Sequence, residues 1–291
     1  MAELPYYLPD ESGWKRYMEG IIPLVILVLI GIVLIGKTTT VFCNVPVLDE
    51  ILCSRGGSVV IGVIGSLDGI NTKINGARLK TILNSDGPKY NIYWRPINEK
   101  ILEYPREKLL SEFDAVIVVG QQNLSYAVRD AIGNYISGGG NVIIIGDAAT
   151  KDSKDPLICG WSSAALGDHA PVRMNPVGMT TQCVKTLTIE SPELSFWSVH
   201  PVLHDVAEQY NLNLSKTDCT EIEAIDVVPR TDIGAETIAM LSGVDENGDE
   251  QYVPGIVEKA TAFGGKVIYF DYDPGCTRSI AFATLRYVSG A

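Results

Sequence analysis

Two short apolar runs of the chain end in polar side chains of types that can bind ligands. Ala115–Val119 is followed by Gln121 and Gln122, and Val142–Ile145 is followed by Asp147. Runs rich in β-branched residues and bounded by Gly or Asp are typical of strands that are buried on both faces of a sheet. Because ligands of open α/β sheets bind beyond the carboxyl ends of the strands, we expect any site of this chain at these two ends.

A carboxylate beside an imidazole is the simplest acid–base pair that the sequence offers. Asp147 with His169 or His200 could form such a pair at the sheet edge, and a histidine that only hydrogen-bonds a loop is the alternative. Asp271 and Asp273 follow a later predicted strand, and with Asp147 they could bind a metal. Carboxylates after a strand more often cap the following helix, so we predict neither a metal site nor a cofactor. The candidate ligand-binding residues are Gln121, Gln122, Asp147, His169, His200 and Asp271, and none is predicted to be catalytic.

The segment between the two apolar runs has a helical pattern. Apolar residues recur at three- and four-residue spacing between 127 and 136, as they do on one face of a helix. Ser125 can cap the start of this helix through its hydroxyl, and the glycines at 138–140 end it. A strand, a helix and a strand in this length form a βαβ unit, so we expect parallel strands joined by a right-handed crossover.

The same alternation of elements extends from residue 58 to the end of the chain. Predicted strands cover 58–65, 90–94, 183–190, 222–228, 237–241, 255–262 and Lys266–Phe270, and predicted helices cover 73–83 and 279–288. Residues 99–112 are predicted to be mostly helical or irregular, and 151–181 to form a long insertion at the carboxyl edge. This order predicts an α/β fold, a flavodoxin-like three-layer α/β/α sandwich with a mainly parallel sheet.

Residues 20–36 (GIIPLVILVLIGIVLIG) carry no charge. As a helix they would span roughly 25 Å, slightly less than a hydrocarbon core of about 30 Å, and Lys37 can reach the interface beyond them. A buried soluble helix is rarely apolar on every face. A cleaved signal peptide is disfavoured by the acidic residues that precede the run and by the lack of a small-residue cleavage site. We therefore predict an uncleaved N-terminal transmembrane helix.

The charges on either side of this helix predict its orientation. Lys15 and Arg16 precede the span and Lys37 follows it, so the positive-inside rule places the N-terminus in the cytosol. The predicted organisation is a cytosolic tail at 1–19, a transmembrane helix at 20–36, a linker at 37–57 and an extracytoplasmic domain at 58–291. The chain is thus expected in the cell membrane as a single-pass protein.

Neither a P-loop phosphate site nor a nucleic-acid partner is expected. Residues 31–38 match the P-loop pattern GxxxxGK[ST], but its middle consists of bulky apolar residues inside the predicted span. The motif works only as a loop whose backbone N–H groups face the phosphate. The formal net charge of −12 and the pI of about 4.7 also disfavour nucleic acid, because an acidic protein repels the phosphate backbone.

All the cysteines lie after the predicted membrane helix. They are Cys43, Cys53, Cys159, Cys183, Cys219 and Cys276. An even number of cysteines in an exported domain predicts disulfides. Cys43 and Cys53 could close a small loop, and Cys159 with Cys183 and Cys219 with Cys276 are two of several possible further pairs. The alternative for Cys159 or Cys183 is a nucleophile near His169.

Two triplets match the acceptor sequence for N-glycosylation. They are Asn123-Leu-Ser125 and Asn213-Leu-Ser215, and such triplets are also common by chance. Asn123 falls on a predicted loop between a strand and a helix, so it should be accessible.

Four phrases of the chain carry a resemblance to one known family. They are FDAVIVVG at 113–120, GGGNVIIIGD at 138–147, His200-Pro201 and GGKVIYFDYDPG at 264–275. With the order of elements, they make residues 58–288 resemble a class I glutamine-amidotransferase-like domain, closest to its ThuA-like branch. Enzymes of that superfamily place a cysteine nucleophile on the sharp turn after the strand that here is Val142–Ile145. This chain has Gly-Asp-Ala-Ala at 146–149, so the resemblance implies the scaffold and argues against amidotransferase chemistry.

These observations predict a membrane-anchored, non-catalytic extracytoplasmic module. Its expected partner is a cell-surface protein, a glycan or another subunit of an envelope assembly. One alternative is an exported hydrolase that acts on a carbohydrate or an amide with a site around Asp147 and His200. The other alternative is a structural subunit of a cell-envelope assembly, anchored by its helix.

The predicted topology can be tested with protease added to intact cells. We expect the domain after residue 40 to be digested, because the positive-inside rule places it outside. An antibody tag at each end of the chain would report which fragment survives. Full protection of the C-terminal tag in cells that remain intact would contradict this orientation.

Overall fold

The computed structural model describes residues 58–69, 72–104, 107–153, 159–162, 164–174, 184–196, 200–203 and 217–290. The predicted cytosolic tail, transmembrane helix and linker lie outside these residues, as do Cys43, Cys53, Cys183 and Asn213. Within the described ranges, no helix combines the length and the apolar character that crossing a membrane requires.

The described part of the chain contains thirteen strands. They are β1 (Val59–Gly65), β2 (Ile92–Ile97), β3 (Ala115–Val119), β4 (Asn123–Leu124), β5 (Val142–Ile145), β6 (Lys151–Asp152), β7 (Val172–Met174), β8 (Thr186–Phe196), β9 (Glu221–Ile225), β10 (Val227–Pro229), β11 (Glu236–Val244), β12 (Glu250–Ala260) and β13 (Lys266–Phe270). The helices are α1 (Ala77–Ser85), α2 (Glu99–Leu102), α3 (Tyr126–Ser137) and α4 (Arg278–Ser289).

Nine of these strands form one sheet in the order β2-β1-β3-β5-β13-β12-β11-β8-β9. The five strands from β2 to β13 are parallel to one another, and their order is that of a doubly wound sheet. The four strands from β12 to β9 run antiparallel to their neighbours. The chain is therefore a mixed α/β protein built on one large sheet.

The burial of the strands and the length of the turns explain why one half of the sheet is parallel and the other antiparallel. β3 and β5 are buried along their whole lengths, as expected for parallel strands that helices cover on both faces. β11 and β12 are joined by the short turn at 245–249, and a turn of that length permits only antiparallel pairing. The predicted parallel βαβ unit is confirmed, because β3 and β5 pair in parallel on either side of α3.

The helices fall into two groups that pack among themselves. α1 packs with α4, and α3 packs with α2 and with the 3-10 turn Ala165–Asp168. The chain passes from β1 to β2 in one direction and from β2 to β3 in the other. Since parallel crossovers are right-handed, this reversal places α1 on one face of the sheet and α2 and α3 on the other.

Several predicted boundaries differ from the observed ones. β2 begins at Ile92 because the 3-10 turn Gly87–Tyr90, with Pro88 in its first turn, precedes it. The strand predicted at 222–228 is two strands, β9 and β10, separated at Asp226. β10 pairs with β7, which lies within the insertion that was predicted to lack periodicity.

Ser125 occupies the predicted N-cap position of α3 but does not cap it. Its side chain makes no capping hydrogen bond, and its hydroxyl is buried with no partner among the described residues. The helix ends at Gly138, whose φ of −79° is right-handed, and Gly139 adopts the left-handed φ of 92°. The prediction of a hydroxyl cap at Ser125 is therefore wrong, whereas the position of the helix is confirmed.

One predicted disulfide is present in the described part of the chain. Cys219, just before β9, is bonded to Cys276 in the turn between β13 and α4. Cys159 is disulfide-bonded as well, while its predicted partner Cys183 lies outside the described residues. Bonded cysteines at these positions leave no free thiol on Cys159, so the alternative of a nucleophile there is wrong.

Removal of the Cys219–Cys276 bridge should destabilise the domain. The two cysteines are 57 residues apart, and opening a loop of that length should lower the free energy of unfolding by about 4 kcal/mol through unfolded-state entropy. Chemical denaturation of the full chain, with the Cys219→Ala/Cys276→Ala double variant against the parent, measures this difference. A loss below about 1 kcal/mol would contradict the expectation.

Candidate functional site

The turn after β5 places Asp147 at the carboxyl edge of the sheet. Gly146 and Ala149 both have left-handed backbone, with φ of 58° and 60°, so the chain reverses sharply between them. A Cβ on Gly146 would lie 2.5 Å from the Cβ of Ile74, which shows that the loop between β1 and α1 packs directly on this turn. The Thr150 hydroxyl donates to the Asp147 carbonyl at 2.7 Å and closes it.

The Asp147 side chain is fully buried beneath that loop. The backbone N–H of Lys73 donates to both carboxylate oxygens, at 3.2 and 3.3 Å, and Gln122 Nε2 donates to Oδ2 at 2.9 Å. Burial nevertheless raises the pKa of Asp147, and the backbone hydrogen bonds offset only part of this effect. The backbone N–H groups do favour the charged form of Asp147, but desolvation outweighs them.

Asp271 is a second buried carboxyl group at the same edge, at the end of β13. Its Oδ1 accepts a hydrogen bond from the Tyr269 hydroxyl at 2.8 Å and from the Ile225 N–H at 3.1 Å. Its Oδ2 is buried and has no partner in the described part of the chain. Burial, followed by the nearby charges of Asp226 and Asp147, raises the pKa of Asp271 well above its ordinary value, which favours the neutral carboxylic acid.

Trp161 covers this pair of carboxyl groups. Its indole N–H donates to the Ala148 carbonyl at 2.9 Å, and its ring meets Tyr269 edge-on at 6.0 Å between centroids. Asp147, Asp271 and Trp161 are all buried. This part of the edge therefore encloses two carboxyl groups and exposes neither of them to a substrate.

Gln121 lies at the same edge, above the end of β3, and faces away from Asp147. Its Nε2 donates to Glu99 Oε2 at 2.8 Å and to the Asn123 carbonyl at 3.1 Å. Both side chains are partly exposed. Burial raises the pKa of Glu99, while the bond from Gln121 lowers it by less.

His169 belongs to a different part of the molecule. Its Nε2 is 2.7 Å from Ser137 Oγ, and Ser137 is the last residue of α3, at the end of the helix farthest from Asp147. Its Nδ1 is buried and has no partner among the described residues. Burial and the charge of Lys259 lower the pKa of His169, so the neutral imidazole is favoured.

His200 is part of a third group of polar side chains. Its Nε2 is hydrogen-bonded to Glu258 Oε2, and the Tyr287 hydroxyl donates to the other oxygen of Glu258 at 2.9 Å. Lys266 Nζ lies 3.4 Å above the centre of the Tyr287 ring. These contacts attach the turn at 200–203 to β12 and to the last turn of α4.

The candidates therefore do not converge on one site. Glu258, the partner of His200, pairs with Ile268 of β13, which pairs in turn with Ile143. That register places Glu258 two strands from β5 and four residues before Asp147, roughly 10 Å across and 13 Å along the sheet. The predicted pairing of Asp147 with a histidine is not present, and only Gln122, Asp147 and Asp271 lie together.

Asp273 caps the 3-10 turn that follows it, as expected for a carboxylate after a strand, by accepting the Gly275 N–H at 2.9 Å, and it also caps α1. It accepts the backbone N–H groups of Arg78 at 2.8 Å and Leu79 at 3.1 Å, in the first turn of α1. Within the described residues, no three His, Cys, Asp or Glu side chains are grouped to hold a metal ion.

A buried ion pair that the sequence pattern did not predict holds the insertion. Arg129 is fully buried, and its Nη2 donates to Asp152 at 2.8 Å. A signal for it exists, because Arg129 shares the three- and four-residue spacing of Ile132 and Ile136 on the buried face of α3. An arginine on that face requires an acidic partner, but only the fold shows that the partner is Asp152.

Comparisons with known proteins identify the fold. Neither a protein-family model nor a curated protein sequence matches the chain. A ThuA-like protein from Bacteroides uniformis ATCC 8492 matches with a TM-score of 0.51 and 14% identity, over 81% of this chain and 93% of that chain. The β-galactosidase from Rahnella sp. R3 matches with a TM-score of 0.49 and 13% identity, over 82% of this chain and 33% of that chain.

The β-galactosidase from Bacillus circulans sp. alkalophilus has a TM-score of 0.45 and 12% identity, over 80% of this chain and 31% of that chain. The chain thus spans about a third of the length of these two β-galactosidases. At such identities a match shows shared architecture only. The chain is a mixed α/β protein that shares its fold with a ThuA-like protein.

Asp271→Asn should make the stability of the domain less dependent on pH. Because folding raises the pKa of Asp271, its contribution is complete below the unfolded value of about 3.9 and is lost as the pH rises toward the folded value. Asparagine cannot ionise and keeps an oxygen for Ile225 and Tyr269. As the pH rises, the free energy of unfolding of the variant should therefore increase relative to that of the parent, by about 1.4 kcal/mol for each unit of the pKa shift.

Chemical denaturation between about pH 5 and pH 8 measures this difference. Asp68→Asn is the matched control, because Asp68 is exposed at the same edge. Parallel pH profiles for the parent and Asp271→Asn would show that Asp271 does not take up a proton on folding.

Proposed function

We propose that this chain is a membrane-anchored, extracytoplasmic binding or assembly module on a class I glutamine-amidotransferase-like scaffold of the ThuA-like branch. The proposal includes a flavodoxin-like three-layer arrangement and a transmembrane helix at 20–36. The observation that supports it is the burial and the hydrogen bonding of the turn after β5. Where superfamily enzymes have their nucleophile, this turn has Asp147, fully buried and hydrogen-bonded by Lys73 and Gln122.

A nucleophile needs an exposed reactive atom and a base within hydrogen-bond reach. Asp147 meets neither requirement, since it is enclosed and its hydrogen-bond partners are a backbone N–H and an amide. His169 and His200, the bases considered from the sequence, are bonded elsewhere, to Ser137 and Glu258. These contacts favour a module that binds over one that catalyses.

The disulfide pattern supports an extracytoplasmic position. Cys219 and Cys276 form one bridge, and Cys159 is also disulfide-bonded. Such bonds persist in oxidising compartments and are rare in the cytosol. This supports an exported domain, which the uncharged run at 20–36 would anchor.

The test is a turnover screen with the full chain in detergent and with its Asp147→Asn variant. A panel of glycosidase, esterase and amidase substrates should give no rate above the protein-free background with either protein. The variant should lose about 1 kcal/mol of stability, because an amide cannot accept all the hydrogen bonds that the carboxylate accepts. Turnover by the parent that disappears in Asp147→Asn would replace the binding module by a hydrolase.

A further inference from the structure

An exposed apolar platform flanks the carboxyl ends of β2 and β3. Ile101 is 38% exposed, Tyr104 69% and Tyr126 51%. Ile101 and Tyr104 lie in and just after α2, Tyr126 begins α3, and these two helices pack together. Single exposed aromatic residues are ordinary, but two tyrosines on contacting helices give a ligand two flat rings with polar tips.

Polar groups adjoin this platform and are held in place. The bonds from Gln121 Nε2 to Glu99 and to the Asn123 carbonyl, at 2.8 and 3.1 Å, fix the orientation of the amide. The amide oxygen of Gln121 accepts no hydrogen bond from a described residue, and the Asn123 side chain is exposed. The region thus combines apolar faces with the Gln121 oxygen and the Glu99 carboxylate, which accept hydrogen bonds, and with the Asn123 amide, which can donate and accept. We call these six side chains, Glu99, Ile101, Tyr104, Gln121, Asn123 and Tyr126, the rim surface.

The rim surface lies where doubly wound sheets bind their ligands. The chain leaves β1 toward β2 and returns past β1 to β3, so the strand order reverses between β1 and β3, and ligands bind at such a reversal. Gln121 stands over this point, since a Cβ on Gly65, the last residue of β1, would lie 3.2 Å from its Cβ. Glu99, to which Gln121 is bonded, follows β2.

Local charge and size narrow the class of ligand. Glu99 and Glu103 are balanced by Lys100 and by Lys151, which lies opposite Asn123 in the β4–β6 pair. A region without net charge in a chain of −12 selects neither a cationic nor an anionic partner. Protein interfaces need about 20–30 residues on each side, whereas three apolar side chains suit a ligand of a few rings.

We propose that the rim surface binds a neutral carbohydrate. The C–H face of a pyranose ring stacks on Tyr126 or Tyr104, and its hydroxyl groups bond to the amides of Gln121 and Asn123 and to the carboxylate of Glu99. This inference rests on the proposed function, because it names the ligand class of the same binding module.

The test measures sugar binding to the full chain by calorimetry and ligand-detected NMR. The protein is made in a host without N-glycosylation, so that Asn123 carries no sugar, and is kept in a detergent without a sugar headgroup. The probes are neutral oligosaccharides of glucose, galactose, mannose and N-acetylglucosamine in α and β linkages. Tyr104→Ala and Tyr126→Ala are compared with Tyr252→Ala, which removes a comparably exposed tyrosine near the start of β12. Thermal unfolding checks that each variant is folded.

We expect at least one probe to bind the parent, and each rim variant to weaken it about tenfold or more, with less than a twofold change in Tyr252→Ala. Tyr126→Trp should retain binding, because it keeps a flat ring. The inference is overturned if no probe binds, if the rim variants bind like the parent, or if Tyr252→Ala weakens binding as much. If the inference fails but the folded domain binds a protein partner, the proposed function remains intact. Hydrolysis of a probe by the parent would instead overturn the proposed function itself.

Discussion

Close backbone packing at the carboxyl edge of the sheet determines which side chains are buried there. A Cβ on Gly120 would lie 1.6 Å from the Ser66 carbonyl oxygen, and one on Gly65 would lie 2.1 Å from that of Val119. Both glycines have left-handed backbone, with φ of 67° and 90°, so another residue would be strained as well as crowded. The loop after β1 is therefore held against the end of β3, and Ile74 in the same loop reaches the turn after β5.

The burial of the two carboxyl groups follows from this packing. Asp147 and Asp271 follow two neighbouring parallel strands, β5 and β13, so both residues lie at the same carboxyl edge, where both are buried. Burial penalises the charge of each carboxylate, so the pKa of both groups is raised, and the nearby charges of Asp226 and Asp147 add to this effect at Asp271. Asp147 accepts several hydrogen bonds, which favour its charge, whereas Oδ2 of Asp271 has no partner among the described residues. The raised pKa of Asp271 therefore favours its neutral acid form.

The sequence predicted elements where the local pattern decides the structure. β13 was predicted with the bounds that it has, and β3, β5 and α3 lie where continuous apolar runs and helical spacing placed them. The pattern failed at β9 and β10, because Asp226 interrupts an otherwise continuous run and sends the second half to β7. The strands of the insertion were missed, since two or three residues carry no periodicity.

The candidate site was predicted only as far as the edge on which it lies. The carboxyl ends of β3 and β5 follow from the strand pattern, and Gln122 does meet Asp147 there. The loop that covers them depends on contacts such as Ile74 with Gly146, which spacing along the chain does not encode. The same holds for His200, whose partner Glu258 is 58 residues away, so a histidine that could serve an acid–base pair instead holds a turn to β12.

Stability and ligand access are separated along this edge. Above β5 and β13 the edge is closed, and Asp273 adds to the closure by capping α1, while the Cys219–Cys276 bridge holds the same turn. Above β1 and β3 the side chains of Gln121 and Glu99 stay partly exposed. A substitution on the closed side must disturb buried hydrogen bonds, whereas one on the open side changes only surface groups, which cost little stability when altered. Side chains at the strand-order reversal can therefore be replaced without loss of the fold.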